Sequence, residues 1–146
     1  MTELSLSPTP FSISFVVPGE AKQFARAGSR GAQRFTPRPQ RDYMAAVKMF
    51  AQTAMGDEPP RTGPLALTMR VEYLIPPSWS KKRRDAAKWK TTAPDADNLA
   101  KIVKDALNKI VYCDDAQIAY LVVQKVYSEF ARSTICVTEL CEGGAR

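Results

Sequence analysis

The stretch from Ala93 to Ile118 limits what this chain can fold into more than any other. Leu99, Ile102, Val103, Ala106, Leu107 and Ile110 recur at the i, i+3, i+4 spacing of an amphipathic helix, so one apolar stripe must be buried against a core. Asp97, Lys101 and Asp105 fall together on the opposite face. Pro94 biases the residue before it towards extended backbone, and Asp97 or Asn98 can accept from the first free N–H groups. The helix is therefore expected to start near residue 98, with the Asp95-Ala96-Asp97 triplet at its mouth and Asp114-Asp115 just beyond its end.

Two carboxylates one residue apart point to opposite sides of an extended segment, but a backbone turning into a helix can aim both at one cation. Asp95, Asp97, Asp114 and Asp115 offer hard oxygen ligands of the kind Mg²⁺ prefers, an ion that keeps waters and takes only one or two carboxylates beside a phosphate substrate. The same residues also suit plainer roles: Asp97 as an N-cap, Asp95 as a turn residue, and Asp114-Asp115 as a solvated turn.

The chain of 146 residues has no histidine. That excludes Ser-His-Asp and Cys-His triads, histidine-metal nucleases and zinc hydrolases with imidazole ligands. A general base must be a carboxylate, lysine, tyrosine or water on a metal. Cys113, Cys136 and Cys141 are odd in number and form no Cys-x-x-Cys pair, which points to a reducing compartment rather than a disulfide framework or zinc site. No signal-peptide pattern and no run of eighteen apolar residues is present, so a soluble cytoplasmic protein without membrane contact is expected. Charge is divided: residues 1–90 carry 15 Lys and Arg against 7 Asp and Glu, whereas residues 91–146 carry 6 against 8. A basic first part and an acidic second part suit a protein that holds polyanion with one and a cation with the other.

Phe11 to Val17 alternates apolar and polar residues and stops at Pro18-Gly19, which predicts a strand. Glu20 to Pro39 shows no periodicity and interleaves Lys22, Arg26, Arg30, Arg34 and Arg38 with Phe24 and Phe35, as a long surface loop or irregular hairpin that binds DNA would. Tyr43, Val47, Phe50, Ala51 and Ala54 predict a helix over 40–55 closed by Gly56. Leu65 to Tyr73 alternates again as a second strand. Ser80 can cap a short helix through Ala87, and Lys81, Lys82, Arg83, Arg84, Lys88 and Lys90 form the densest positive charge in the chain, each able to neutralise a phosphate. Residues 118–127 and 133–140 are β-rich runs, most simply an antiparallel hairpin. The expected fold is a single α+β domain over 1–146, a mixed or antiparallel sheet with helices packed on it, and flexible tails at 1–10 and 142–146.

Pro94-Asp95-Ala96-Asp97-Asn98-Leu99-Ala100-Lys101, Asp105-Ala106-Leu107-Asn108 and Tyr112-Cys113-Asp114-Asp115-Ala116-Gln117-Ile118 together resemble the RusA family of Holliday junction resolvases. That family's pattern is Asp-x-Asp-Asn-x-x-Lys followed, most of a helix later, by Asp-Asp-x-Gln. Pro77-Ser78-Trp79-Ser80-Lys81 and Tyr43 after a Thr-Pro pair are also similar, so the resemblance covers most of residues 11–140. It implies Asp95, Asp97 and Asp115 as metal-binding carboxylates, Lys101 as the essential lysine, and a homodimer that places paired nicks in four-way DNA junctions with Mg²⁺ or Mn²⁺. The first loop departs from the family's frequent Arg-Pro-Arg run, since Gln23-Phe24-Ala25-Arg26 stands there. Asp114 is expected to support the metal site and Asp105 to orient Lys101. A nuclease for other branched DNA and a non-catalytic DNA-binding protein are the alternative readings.

Overall fold

Alternation along β1 (Ser12–Pro18) divides its side chains cleanly: Ile13, Phe15 and Val17 are buried, and Ser12, Ser14 and Val16 are exposed. The structure, a computed structural model, describes residues 10–22, 28–30, 33–35 and 38–141. Apart from Pro10, the two expected tails lie outside these residues, as do Phe24 and Arg26. Part of the 20–39 segment forms an irregular hairpin, β2 (Gly28–Arg30) antiparallel to β3 (Gln33–Phe35), and the backbone of Arg30 and Arg34 lies in it.

Helix α1 (Arg38–Met55) begins two residues before the expected start, with Pro39 in its first turn, where a missing N–H leaves no hydrogen bond unmade. It ends as predicted at Gly56, whose φ of 55° is the left-handed conformation that a C-terminal glycine supplies. Strand β4 (Leu65–Leu74) buries Leu65, Leu67, Met69, Val71 and Tyr73 against α1 and the later helix α3 (Ala96–Leu107). Helix α2 (Lys81–Ala86) is capped as expected, Ser80 Oγ accepting from Arg83 N at 3.2 Å.

The sheet is mixed, with strand order β1-β6-β4-β5. Strands β5 (Ile118–Ser128) and β6 (Arg132–Glu139) do not form the expected hairpin: β4 lies between them, parallel to β5 and antiparallel to β6. Two physical facts explain this. The most deeply buried strand needs a partner on each edge, and the three residues 129–131 are long enough to cross the roughly 10 Å that separates next-nearest strands. The parallel β4–β5 pair in turn requires a long crossover, and residues 75–117 provide it, carrying both α2 and α3.

Helix α3 buries Leu99, Ala100, Ile102, Val103, Ala106 and Leu107. It starts at Ala96 rather than near 98, with Asp95 as the N-cap residue, because Asp95 is itself extended and the turn follows at once. It stops at Leu107, so Ile110 belongs to the turn after the helix, beside Lys109 at φ 70°.

Candidate active site

Because the helix begins earlier than the sequence pattern implied, Asp95 and Asp97 take different positions. Asp95 sits at the N-cap, yet its carboxylate makes no capping hydrogen bond. Asp97 lies in the first turn, where the helix dipole favours a negative charge. On the face opposite the buried stripe, Asp97, Lys101 and Asp105 line a concavity of about 330 Å³ together with Lys104, Asp115 and Leu121. The expected gathering of Asp97, Lys101 and Asp105 on one face is therefore observed, and Asp115 faces them from the start of the 3₁₀ turn Asp115–Gln117. Asp95 does not line this space.

Lys101 Nζ lies 3.6 Å from Asp105 Oδ2, with the lysine side chain three-quarters exposed. An exposed pair of this kind contributes only about 0.3–0.5 kcal/mol, so the ammonium is held weakly and can turn to a stronger anion. Asp105 was expected beside Lys101; Lys104 joins the concavity as well, and its i,i+3 relation to Lys101 was the available sequence signal.

Gln117 builds the turn that presents Asp115. Its Oε1 accepts from Cys113 N and Asp114 N, both at 2.9 Å, and its Nε2 donates to Arg61 O at 3.0 Å and Gly63 O at 2.9 Å. Asp114, expected to support a metal, accepts from Ala116 N at 3.2 Å and acts as the cap of the same turn. Tyr112 is buried beneath, its Oη donating to Lys104 O at 2.7 Å. Burial, reinforced by Asp115 and Asp105, drives its phenol far above the ordinary tyrosine range, which removes Tyr112 as a general base.

The loop before α3 is held from the sheet. Lys125 Nζ, from β5, donates to Thr92 O at 2.8 Å and to Pro94 O, and Lys90 Nζ reaches Thr92 Oγ1 at 2.9 Å. Burial and then the neighbouring Lys90 lower the Lys125 pKa, while Asp95 opposes the shift. Sequence reasoning passed over Lys125; the signal available was a lysine between Val123 and Tyr127 on the side of the strand that meets the helices.

Among the described residues, none of the expected DNA contacts lines this concavity. Lys22 pairs with Glu20 at 3.7 Å, and Lys81 with Asp85 at 2.9 Å. Lys82 and Arg84 are exposed on α2, and Arg83 stacks on Trp79, its guanidinium carbon 3.7 Å from the ring centre. Lys88 and Lys90 follow on a segment that pairs with the edge of β5, through Tyr127 N to Lys88 O at 2.8 Å and Lys90 N to Lys125 O at 3.0 Å.

Among the described residues no three Asp, Glu, Cys or His side chains stand close enough to form a complete metal cage. The donor set itself, carboxylates without histidine or thiolate, suits a hard cation that retains waters. A family model described as Endodeoxyribonuclease RusA matches residues 16–138. The chain belongs to the RusA family. It is 42% identical over 85 residues to the uncharacterized protein YqaN of Bacillus subtilis (strain 168), covering 54% of this chain and 60% of that one. It is 38% identical over 78 residues to the crossover junction endodeoxyribonuclease rusA of Lactococcus phage r1t, covering 53% and 56% respectively. The chain thus spans somewhat more than half the length of these two relatives. No helix among the described residues is long and apolar enough to cross a membrane.

Proposed function

We propose that this chain is a metal-dependent endodeoxyribonuclease that resolves four-way DNA junctions by paired, symmetric nicks. The observation that carries the reading is the concavity shared by Asp97, Asp105, Asp115 and Lys101, next to a crossover whose α2 is strongly basic. Membership of the RusA family and the phage relative named for crossover junctions support it.

In this reading Asp95, Asp97 and Asp115 hold Mg²⁺, or Mn²⁺ in its place, and Asp114 fixes the turn beside them. The ion would supply Lewis acidity at the phosphate and would acidify a bound water, a source of base that needs no histidine. Lys101 leaves its weak pair with Asp105 for the scissile phosphate, where its charge offsets the charge growing on the phosphoryl oxygens and on the leaving 3′ oxygen. Asp105 keeps the ammonium poised before DNA arrives. Lys22, Arg26, Arg30, Arg34 and the basic residues from Lys81 to Lys90 neutralise backbone phosphates around the branch.

A homodimer gives two such sites the approximate two-fold relation of the junction. The strand at 65–75 and the region 118–140 are the two candidate interfaces; the apolar face of β4 is already buried beneath the helices, which favours the 118–140 region, where β5 is an edge strand with Tyr120 exposed. Incubation of a labelled four-way junction with Mg²⁺ or EDTA, combined with light scattering of the free protein, tests the reading. A dimer making two symmetric, Mg²⁺-dependent cuts is expected. A monomer that nicks one strand would instead indicate a general branch nuclease, and tight binding without cleavage a non-catalytic DNA-binding protein.

A further inference from the structure

Upstream of the aspartates lies a second, larger concavity of about 610 Å³, within the usual size range of ligand pockets. Its walls carry Trp79, Arg83, Lys88, Trp89, Lys90 and Tyr127, and no acidic residue lines it. Trp79 meets Tyr127 edge to face at a centroid distance of 5.1 Å. Each aromatic ring has a cation near it: Arg83 at 3.7 Å from Trp79, Lys88 at 5.3 Å from Trp89, and Lys90 at 5.5 Å from Tyr127. Trp89 is 52% exposed although it is the largest type of apolar side chain, so its ring contributes little to the core. The groove continues through Thr91 and Thr92 into the loop that ends at Asp95.

From this arrangement we infer that the groove is a subsite for an unpaired nucleotide of the branched DNA, the base stacking on Trp89 and the flanking phosphates meeting Arg83, Lys88 and Lys90. Charge sets the class of ligand: three cations and no carboxylate call for a polyanion. The exposed ring sets its state, because the faces of bases inside a duplex are covered by their neighbours, whereas an unpaired base offers its face to any aromatic. Such bases occur where strands exchange at a branch. The inference rests on the proposed nuclease function and adds what the site engages beside the scissile phosphate. A nucleotide anchored here would lead its strand past Thr92 towards Asp95.

Trp79 and Trp89 are the chain's two tryptophans, so its whole tryptophan emission reports this groove. Titration of the dimer or monomer as it exists, in EDTA, with single-stranded oligothymidylate and with a blunt linear duplex separates stacking from general attraction. The single strand is expected to quench emission strongly and the duplex weakly. Trp89→Leu should weaken single-strand binding about 5- to 150-fold, the range given by loss of one base–aromatic stack, and Trp89→Phe should recover most of it. Circular dichroism of each variant verifies the fold. Equal quenching by the two DNAs, or unchanged affinity in Trp89→Leu, overturns the inference. Because EDTA prevents metal-dependent cleavage, this titration gives its answer whether or not the protein cuts junctions in the separate Mg²⁺ assay.

Discussion

The two acidic pairs of the site are held by opposite means. Asp114-Asp115 stands on a turn fastened by all four hydrogen bonds of the Gln117 amide and by its own cap, with buried Tyr112 underneath. Asp95 and Asp97 stand at a helix mouth where neither carboxylate has a hydrogen-bond partner among the described residues, and the loop before them hangs on the ammonium of Lys125. One half is built by neutral hydrogen bonds at the backbone; the other is suspended on a flexible, partly desolvated charge. Under the proposed function, a hard cation that keeps several waters would meet one tightly fastened pair of carboxylates and one less constrained pair.

The largest effect expected is from the ligands themselves. Asp97→Asn and Asp115→Asn should each lower junction cleavage by more than the roughly 10- to 100-fold typical of losing a supporting partner of a metal ligand, while Asp97→Asn binds the junction as tightly as the parent or more so. Gel assays of cleavage and binding check both statements, and normal cleavage by either variant would remove that carboxylate from the site.

Next, the supports themselves can be set against each other. Gln117→Leu removes four hydrogen bonds and leaves Asp114 N and Gly63 O without partners, since Cys113 N still donates to Arg61 O at 3.3 Å, and is expected to cost about 2–3 kcal/mol in urea unfolding, with the Mg²⁺ requirement of the folded protein little changed. Lys125→Met should do the reverse, raising the Mg²⁺ concentration for half-maximal cleavage about 10- to 100-fold with little loss of stability, and Lys125→Arg should recover part of it. If both substitutions move stability and metal requirement alike, the contrast between a rigid and a suspended half is wrong.

The smallest effect provides a control away from the site. Glu72 is buried on β4 and accepts from Arg132 Nε at 2.7 Å and Nη2 at 3.3 Å. That pairing, against the opposing effect of burial, holds its carboxyl below the ordinary value of 4.5, so its stabilisation is complete above that pH and is lost as pH falls through the lower folded-state value. Glu72→Gln should lower Tm by about 2–4 °C at neutral pH, the difference closing in strongly acid solution, with cleavage unaffected.

Periodicity made most of the elements legible: the 3.6-residue stripes of α1 and α3 and the alternation of β1 and β4 all lie within a few residues of where the sequence puts them. Strand order was not legible, because an apolar run records that a strand is covered and not which strand lies beside it; hence β5 and β6 read as a hairpin until β4 is found between them. At the site, residue types and spacing pointed to Asp95, Asp97, Asp114 and Asp115, and the family resemblance singled out Asp95, Asp97, Asp115 and Lys101; of these, Asp97, Lys101 and Asp115 share one concavity and Asp95 does not line it. The supports were hidden for a different reason. Lys125 and Gln117 act on backbone carbonyls and amides far away in sequence, and backbone groups leave no mark in a string of side-chain letters.

Placing β4 next to β5 in parallel also has a consequence for how the protein is made. A parallel pair cannot close from a tight turn and must wait for its connection to dock. Here that connection, residues 75–117, contains the basic helix, both tryptophans of the groove and six aspartates, Asp85, Asp95, Asp97, Asp105, Asp114 and Asp115. The basic residues from Lys81 to Lys90 and the carboxylates of Asp95, Asp97 and Asp115 are therefore expected to be ordered in the same event, when β5 takes its place at the sheet edge. A nascent chain emerging in order has the positive charge of α2 before that event, but not yet the concavity that Asp97 and Asp115 line.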